Sequence, residues 1–254
     1  MQPFRFIPAL AKALLPVAGL AAAGALAGCN SNISINDDEG VPLSELDFAS
    51  ATPSGIVLAS SDRVEVSRGD QLTVVVEGSE VATDRMRFTL DEDTLGIMRV
   101  KGKWTDSEKS VVRVTIPALR EVVLAGSGTL RSDELRGDSS VTIAGSGSVE
   151  TMGVDADELD VTIAGSGGYK AAGRAKKLDL TVAGSGSADM GGLKVDGAEV
   201  SVMGSGDAGF ATDGTVKATI MGSGTVRVTG NATCEVSSMG SGKLICKTVE
   251  TKED

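Results

Sequence analysis

The chain has 254 residues, with 24 Lys and Arg against 35 Asp and Glu, no histidine, and only 3% aromatic residues. A net charge of −11 excludes nucleic acid as a natural partner, and the missing histidine removes the usual general base, the commonest zinc ligand and every Ser-His-Asp arrangement. So few rings argue against a thick globular core and for a thin aliphatic one.

At the amino terminus, Arg5 and Lys12 precede an apolar run of small residues from Ala13 to Ala27 that Pro16 and Gly19 interrupt. The run is shorter than the roughly 20 residues a bilayer core requires, so residues 1–28 are predicted to be a signal peptide and not a spanning helix. Its ending, Leu26-Ala27-Gly28-Cys29, resembles the lipobox of bacterial lipoproteins. That resemblance implies cleavage before Cys29 and acylation of its thiol and new amino terminus. Since each buried CH₂ contributes about 0.8 kcal/mol, stable attachment needs more than one acyl chain. A membrane, reached through this lipid, is the first expected partner. Residues 29–42, including Asp37-Asp38-Glu39-Gly40, are expected to form a tether. Removing residues 1–28 takes away two bases and no acid, so the exported chain is more acidic still. Asn30 after Cys29 favours sorting to an outer membrane in a host that has one.

The rest of the chain is governed by a repeat. Gly-Ser-Gly begins at Gly126, Gly145, Gly165, Gly184, Gly204, Gly222 and Gly240, at spacings of 18–20 residues. A segment of period two precedes each copy, such as Leu159-Asp160-Val161-Thr162-Ile163, and reads as a half-buried strand. A second alternating segment follows, with Leu130, Val149, Tyr169, Ala188, Ala208, Val226 and Leu244 at one inward position. A unit this short cannot bury its own apolar face, so successive units must stack. The predicted fold is all-β: a right-handed parallel β-helix, or β-solenoid, of 18–20-residue coils, its hand set by the strong bias of parallel crossovers.

Stacking requires equivalent residues to be compatible. Two positions before the motif stand Leu124, Ile143, Ile163, Val182, Val202 and Ile220, an aliphatic ladder broken by Ser238. One position further upstream stand Thr142, Thr162, Thr181, Ser201, Thr219 and Ser237, an outward hydroxyl ladder. Arg131, Glu150, Lys170 and Asp189 alternate in sign along another register. Directly before the motif, Ala125, Ala144, Ala164 and Ala183 give way to Met203, Met221 and Met239, so the cross-section or corner packing is expected to change near the fifth coil. Cys234 and Cys246 lie six residues either side of Gly240 on inward registers. They are compatible with a disulfide near the open end or with two buried thiols.

Val114-Thr115-Ile116-Pro117-Ala118-Leu119, running into Val123-Leu124-Ala125-Gly126-Ser127-Gly128 and then serial Gly-Ser-Gly units, resembles the head GIN domain family of auto-transporter adhesins. The stretches Ser61-Asp62-Arg63-Val64-Glu65-Val66, Val74-Val75-Val76-Glu77-Gly78 and Asp93-Thr94-Leu95-Gly96-Ile97 resemble that family's opening half. The resemblance implies one β-helix domain over 43–247. In it, 43–120 supplies opening coils and a cap, 121–247 the seven Gly-Ser-Gly coils, and 248–254 a polar tail.

The seven serines (Ser127, Ser146, Ser166, Ser185, Ser205, Ser223 and Ser241) read as turn residues. No base accompanies them, and the strand-to-helix setting of a nucleophile elbow or phosphate loop is missing. Asp160, Asp179 and Glu199 stack in one register and are weak calcium candidates, but Lys177 and Lys217 interrupt the acidic registers and no calcium loop is spelled out. No other metal and no cofactor is expected. Polysaccharide-active enzymes also use right-handed β-helices, but they need two carboxylates about 5–10 Å apart across a cleft, and here the repeat disperses the acids. The expectation is therefore a non-enzymatic envelope protein that contacts polysaccharide or another envelope protein through repeated ladders. The alternative is an envelope scaffold that self-assembles. Oligomeric state, binding face and the side of the membrane stay open.

Overall fold

Alternation of apolar and polar residues sends every second side chain inward, and the glycine corners let one alternating segment turn into the next. The computed structural model describes residues 40–48, 51–91, 93–100, 102 and 109–247. The predicted signal peptide, the lipidation residue Cys29, most of the tether and the tail 248–254 lie outside the described residues.

The described strands form one sixteen-stranded sheet wound as a β-solenoid. The opening half contributes β1 (Gly55–Ala59), β2 (Arg63–Arg68), β3 (Thr73–Glu77), β4 (Met86–Leu90), β5 (Thr94–Arg99) and β6 (Val111–Ile116). Then come β7 (Glu121–Gly126), β8 (Thr129–Arg136) and β9 (Ser139–Gly145). Four long strands follow, β10 (Ser148–Gly165), β11 (Gly168–Gly184), β12 (Ser187–Gly204) and β13 (Asp207–Gly222), each running from one Gly-Ser-Gly corner to the next. The last coil consists of β14 (Thr225–Thr229), β15 (Thr233–Gly240) and β16 (Lys243–Lys247).

From β7 onward every pairing is parallel, and the segments leading into the corners stay in register, for instance Leu124 with Ile143, Ile143 with Ile163 and Ile163 with Val182. The aliphatic ladder extends beyond the repeat to Leu58 and Ile97. These side chains are fully buried, and burying each contributes about 1.5–3 kcal/mol. Large and small residues are traded between inward positions to keep the cross-section filled. Tyr169 sits beside Ala188, whose coil supplies Met190, and Ala208 is followed by Phe210. The Tyr169 hydroxyl contacts Thr151 Oγ1 at 3.3 Å, and Thr151 lies 3.0 Å from Ser132 Oγ, so the buried hydroxyls satisfy one another.

The opening coils depart from chain order. β1 lies between β5 and β7, and β2 between β6 and β8. The coil made second thus stacks outside the first, and the chain then returns to the first coil's other face. Beyond that outer coil, β3 and β4 run antiparallel and close this end. Val41 adds an antiparallel bridge to Phe88, and a single helical turn, Glu80–Thr83, is capped by Ser79.

Both glycines of the corner are physically required. The first has φ between +118° and +131° in all seven coils, a region side chains avoid. A Cβ on Gly165 would also lie 2.5 Å from Gly145 O. The second packs inward, and a Cβ on Gly167 would meet Ile143 Cγ2 at 2.6 Å and Gly147 O at 2.8 Å. The serine between them donates its N–H to the preceding coil, as Ser166 does to Gly145 O at 2.9 Å. Corner packing does not change where alanine gives way to methionine, because those side chains point outward. The far side of the coil is irregular at several levels, with register shifts between Thr151 and Val154 in β10 and between Lys170 and Ala172 in β11 as well as in β12. The register between β12 and β13 jumps from Met190–Phe210 to Lys194–Ala211, which leaves extra residues of β12 in a bulge.

The first coil carries Ser60-Ser61-Asp62 where later coils carry Gly-Ser-Gly. Asp62 is buried there, and its carboxylate accepts from Arg99 Nε at 2.6 Å and Nη2 at 2.5 Å, the Ser110 N–H at 2.7 Å and Ser60 Oγ at 2.7 Å. A bidentate guanidinium from β5 and the amide of the residue preceding β6 thereby tie the outer coil to the first.

Candidate binding surface

Because the pairing is parallel and in register, a residue chosen in one coil is repeated about 4.8 Å away in the next. Thr142, Thr162, Thr181, Ser201, Thr219 and Ser237 are consecutive register partners on an outward face. The central serines of all seven corners are exposed in a row along one edge. They are turn residues in an unbroken ladder, and no described titratable side chain is hydrogen-bonded to any of their hydroxyls, so nothing here activates a nucleophile.

A second surface is charged. Arg131 pairs with Glu150 at 3.1 Å, Arg174 with Asp155 at 2.9 Å, Lys176 with Asp157 at 2.5 Å and Lys194 with Asp213 at 2.7 Å, each across neighbouring coils. Asp155, Asp157, Arg174, Lys176 and Asp196 line an open groove of about 480 Å³. Hydrogen bonding from Arg174 holds the Asp155 carboxyl below its ordinary range. The Asn231 N–H, and then Lys194, do the same for Asp213. A general acid needs the opposite shift, so neither Asp155 nor Asp213 is tuned as one.

The stacked acids behave differently from the sequence expectation. Asp160, Asp179 and Glu199 are register partners, but the carboxylates that converge are those of Glu158, Asp160 and Asp179. Lys177 Nζ already bridges Glu158 at 2.7 Å and Asp179 at 2.6 Å, and Glu199 is followed in register by Lys217. Partial burial, and then Glu158 and Asp179, raise the pKa of Asp160. A lysine thus supplies the positive charge that calcium would have brought. Glu158 was legible only as a same-face neighbour two residues from Asp160.

Cys234 and Cys246 form a disulfide across the last coil, with Cα atoms 6.8 Å apart. That places β15 and β16 closer at the cysteines than the roughly 10 Å of packed sheet faces. This last coil is the open end of the solenoid. Val236, whose register partner Ala218 is buried, is 54% exposed.

Repeated polar ladders on the outward faces of a β-solenoid are thus the main surface feature of the described residues. The family described as "Putative auto-transporter adhesin, head GIN domain" matches residues 52–232, and the chain belongs to it. Among solved structures, a "putative adhesin" from Bacteroides fragilis has 21% identity and a TM-score of 0.72, and the match covers 78% of this chain and 94% of that one. A "putative lipid binding protein" from Parabacteroides distasonis has 21% identity and a TM-score of 0.62, with coverage of 78% and 94%. A "putative adhesin" from Parabacteroides merdae has 19% identity and a TM-score of 0.60, with coverage of 77% and 92%. At these identities the likeness concerns the fold. No curated protein matches the chain.

Proposed function

We propose that the chain is a non-enzymatic, adhesin-like protein of the cell envelope, exported and held by lipid on Cys29, whose outward ladders bind a repetitive polar ligand such as a polysaccharide. The observation that carries this reading is the in-register hydroxyl ladder from Thr142 to Ser237 beside the exposed corner serines. One weak contact per coil, repeated at fixed spacing, sums by avidity. The rings of the coils, Phe88, Tyr169 and Phe210, are buried, so the ladder face offers a ligand hydrogen bonds and no ring to stack on. The charged groove favours polar ligands over acyl chains.

The test replaces Thr162, Thr181 and Thr219 together by Val, which keeps β-branching on an outward face while deleting three hydroxyls. Polysaccharide binding by the folded variant should fall far more than in any single variant. Undiminished binding would discard this face as the contact surface.

The open end favours a second reading, an envelope scaffold that associates end to end. Exposed Val236 and the outer edges of β15 and β16, which no described strand covers, are features that invite pairing. Sedimentation over a range of concentrations separates the two, since an invariant monomer removes the scaffold reading.

A further inference from the structure

The corner register filled by alanine in the early coils is filled by methionine in three consecutive late ones. Ala183 pairs with Met203, Met203 with Met221, and Met221 with Met239. All three methionines are solvent-facing, at 40%, 42% and 73% exposure. An outward strand position has no packing need for them, and β-branched residues would suit the strand better. What methionine adds is a thioether sulfur on a side chain with three rotatable bonds.

We infer that Met203, Met221 and Met239 form a thioether site for a soft monovalent metal ion, Cu(I) or Ag(I). Rungs about 4.8 Å apart place three such chains side by side, and their flexibility lets the sulfurs converge on one ion held near Met221. Soft thioether ligands select Cu(I) and its congeners over hard cations, and neutral ligands suit a singly charged ion. The nearest outward residues on the same strands, Ser201, Thr219 and Ser237, are uncharged. The two cysteines of the described residues are tied in a disulfide and offer no competing thiolate. The proposal is independent of the polysaccharide reading, since it uses a different register and a different ligand class.

The molecule contains its own control. Met152 is 69% exposed but sits in the bulge between Thr151 and Val154, without methionine neighbours in register. The experiment uses the full chain with Cys29→Ser in every arm, disulfide intact, titrated with silver nitrate in chloride-free buffer. It is read by native mass spectrometry and by the ¹³C-labelled methionine methyl resonances. The expected result is uptake of one ion, with shifts at Met203, Met221 and Met239 and none at Met152. Met221→Leu, which keeps apolar volume, should abolish uptake, and Met239→Leu should weaken it, while Met152→Leu leaves it unchanged. Unaltered uptake in a folded Met221→Leu chain, or a response of Met152 equal to that of the ladder, would overturn the assignment. A partner that merely needs an apolar stripe would tolerate leucine, so the Met-to-Leu comparison also separates that explanation.

Discussion

Replacing Gly165 by alanine probes the feature on which the solenoid depends most. The backbone there has φ +118°, and a non-glycine residue held in so sparsely populated a region costs about 1–3 kcal/mol. The new Cβ would also lie 2.5 Å from Gly145 O and 3.2 Å from Gly145 C. Both are backbone atoms of the preceding coil, and that oxygen accepts the Ser166 N–H. No side chain can swing aside, so the coils must separate locally, an overpacking cost of about 1–3 kcal/mol. Together the two effects amount to about 2–6 kcal/mol. Gly137 provides the comparison: its φ is +72°, and nothing lies within 4 Å of an added Cβ. Gly137→Ala should therefore incur only the conformational cost of about 1–2 kcal/mol. Urea unfolding followed by far-ultraviolet circular dichroism measures both, and an unchanged denaturant slope would indicate that stability alone has shifted. Equal losses in the two variants would refute the claim that backbone contact between coils adds to the cost of φ at the corner glycine.

Three further outcomes follow from particular contacts. Arg99→Met leaves the buried Asp62 carboxylate without its counterion, and thermal unfolding should register a loss of about 3–5 kcal/mol; a loss below 1 kcal/mol would mean that Asp62 is solvated. Reducing the bond between Cys234 and Cys246, or the Cys234→Ser variant, should release a staple worth about 3 kcal/mol for a loop of this size. Faster amide exchange should be confined to β14, β15 and β16, and uniform acceleration through β9–β12 would contradict the local role. The raised pKa of Asp160 means that the folded state binds its proton more tightly than the unfolded chain does. Its ionised form therefore costs stability above that pKa, and the cost fades as pH falls toward the ordinary value of 3.8. Asp160→Asn should stabilise the chain at pH 7 and be neutral below pH 3.8, whereas destabilisation at pH 7 would show that the carboxylate is needed.

The coils were legible in the sequence because parallel in-register stacking turns a spacing of 18–20 residues directly into neighbours. Leu124, Ile143 and Ile163 could be placed in one column from their distance to the glycines alone. The opening half gave no such ruler. Its corner is Ser60-Ser61-Asp62, and the contact that joins its two coils is a long-range one between Asp62 and Arg99. The swapped order of β1 and β5 and the antiparallel cap strands therefore leave no periodic trace. The acidic register pointed to the right columns but not to the carboxylates that meet. That outcome turns on Lys177, which is placed by the side-chain geometry of one coil. The two cysteines were compatible with either state because their separation depends on how far the last, single-sided coil closes.

The most direct test of the account is protease accessibility of the tagged, acylated chain on intact and on permeabilised cells, beside a Cys29→Ser control. Cleavage on intact cells, with loss of membrane attachment in the control, is the result the account predicts for an adhesin-like solenoid displayed outward. Protection until permeabilisation would contradict it and leave an inward-facing envelope scaffold in its place.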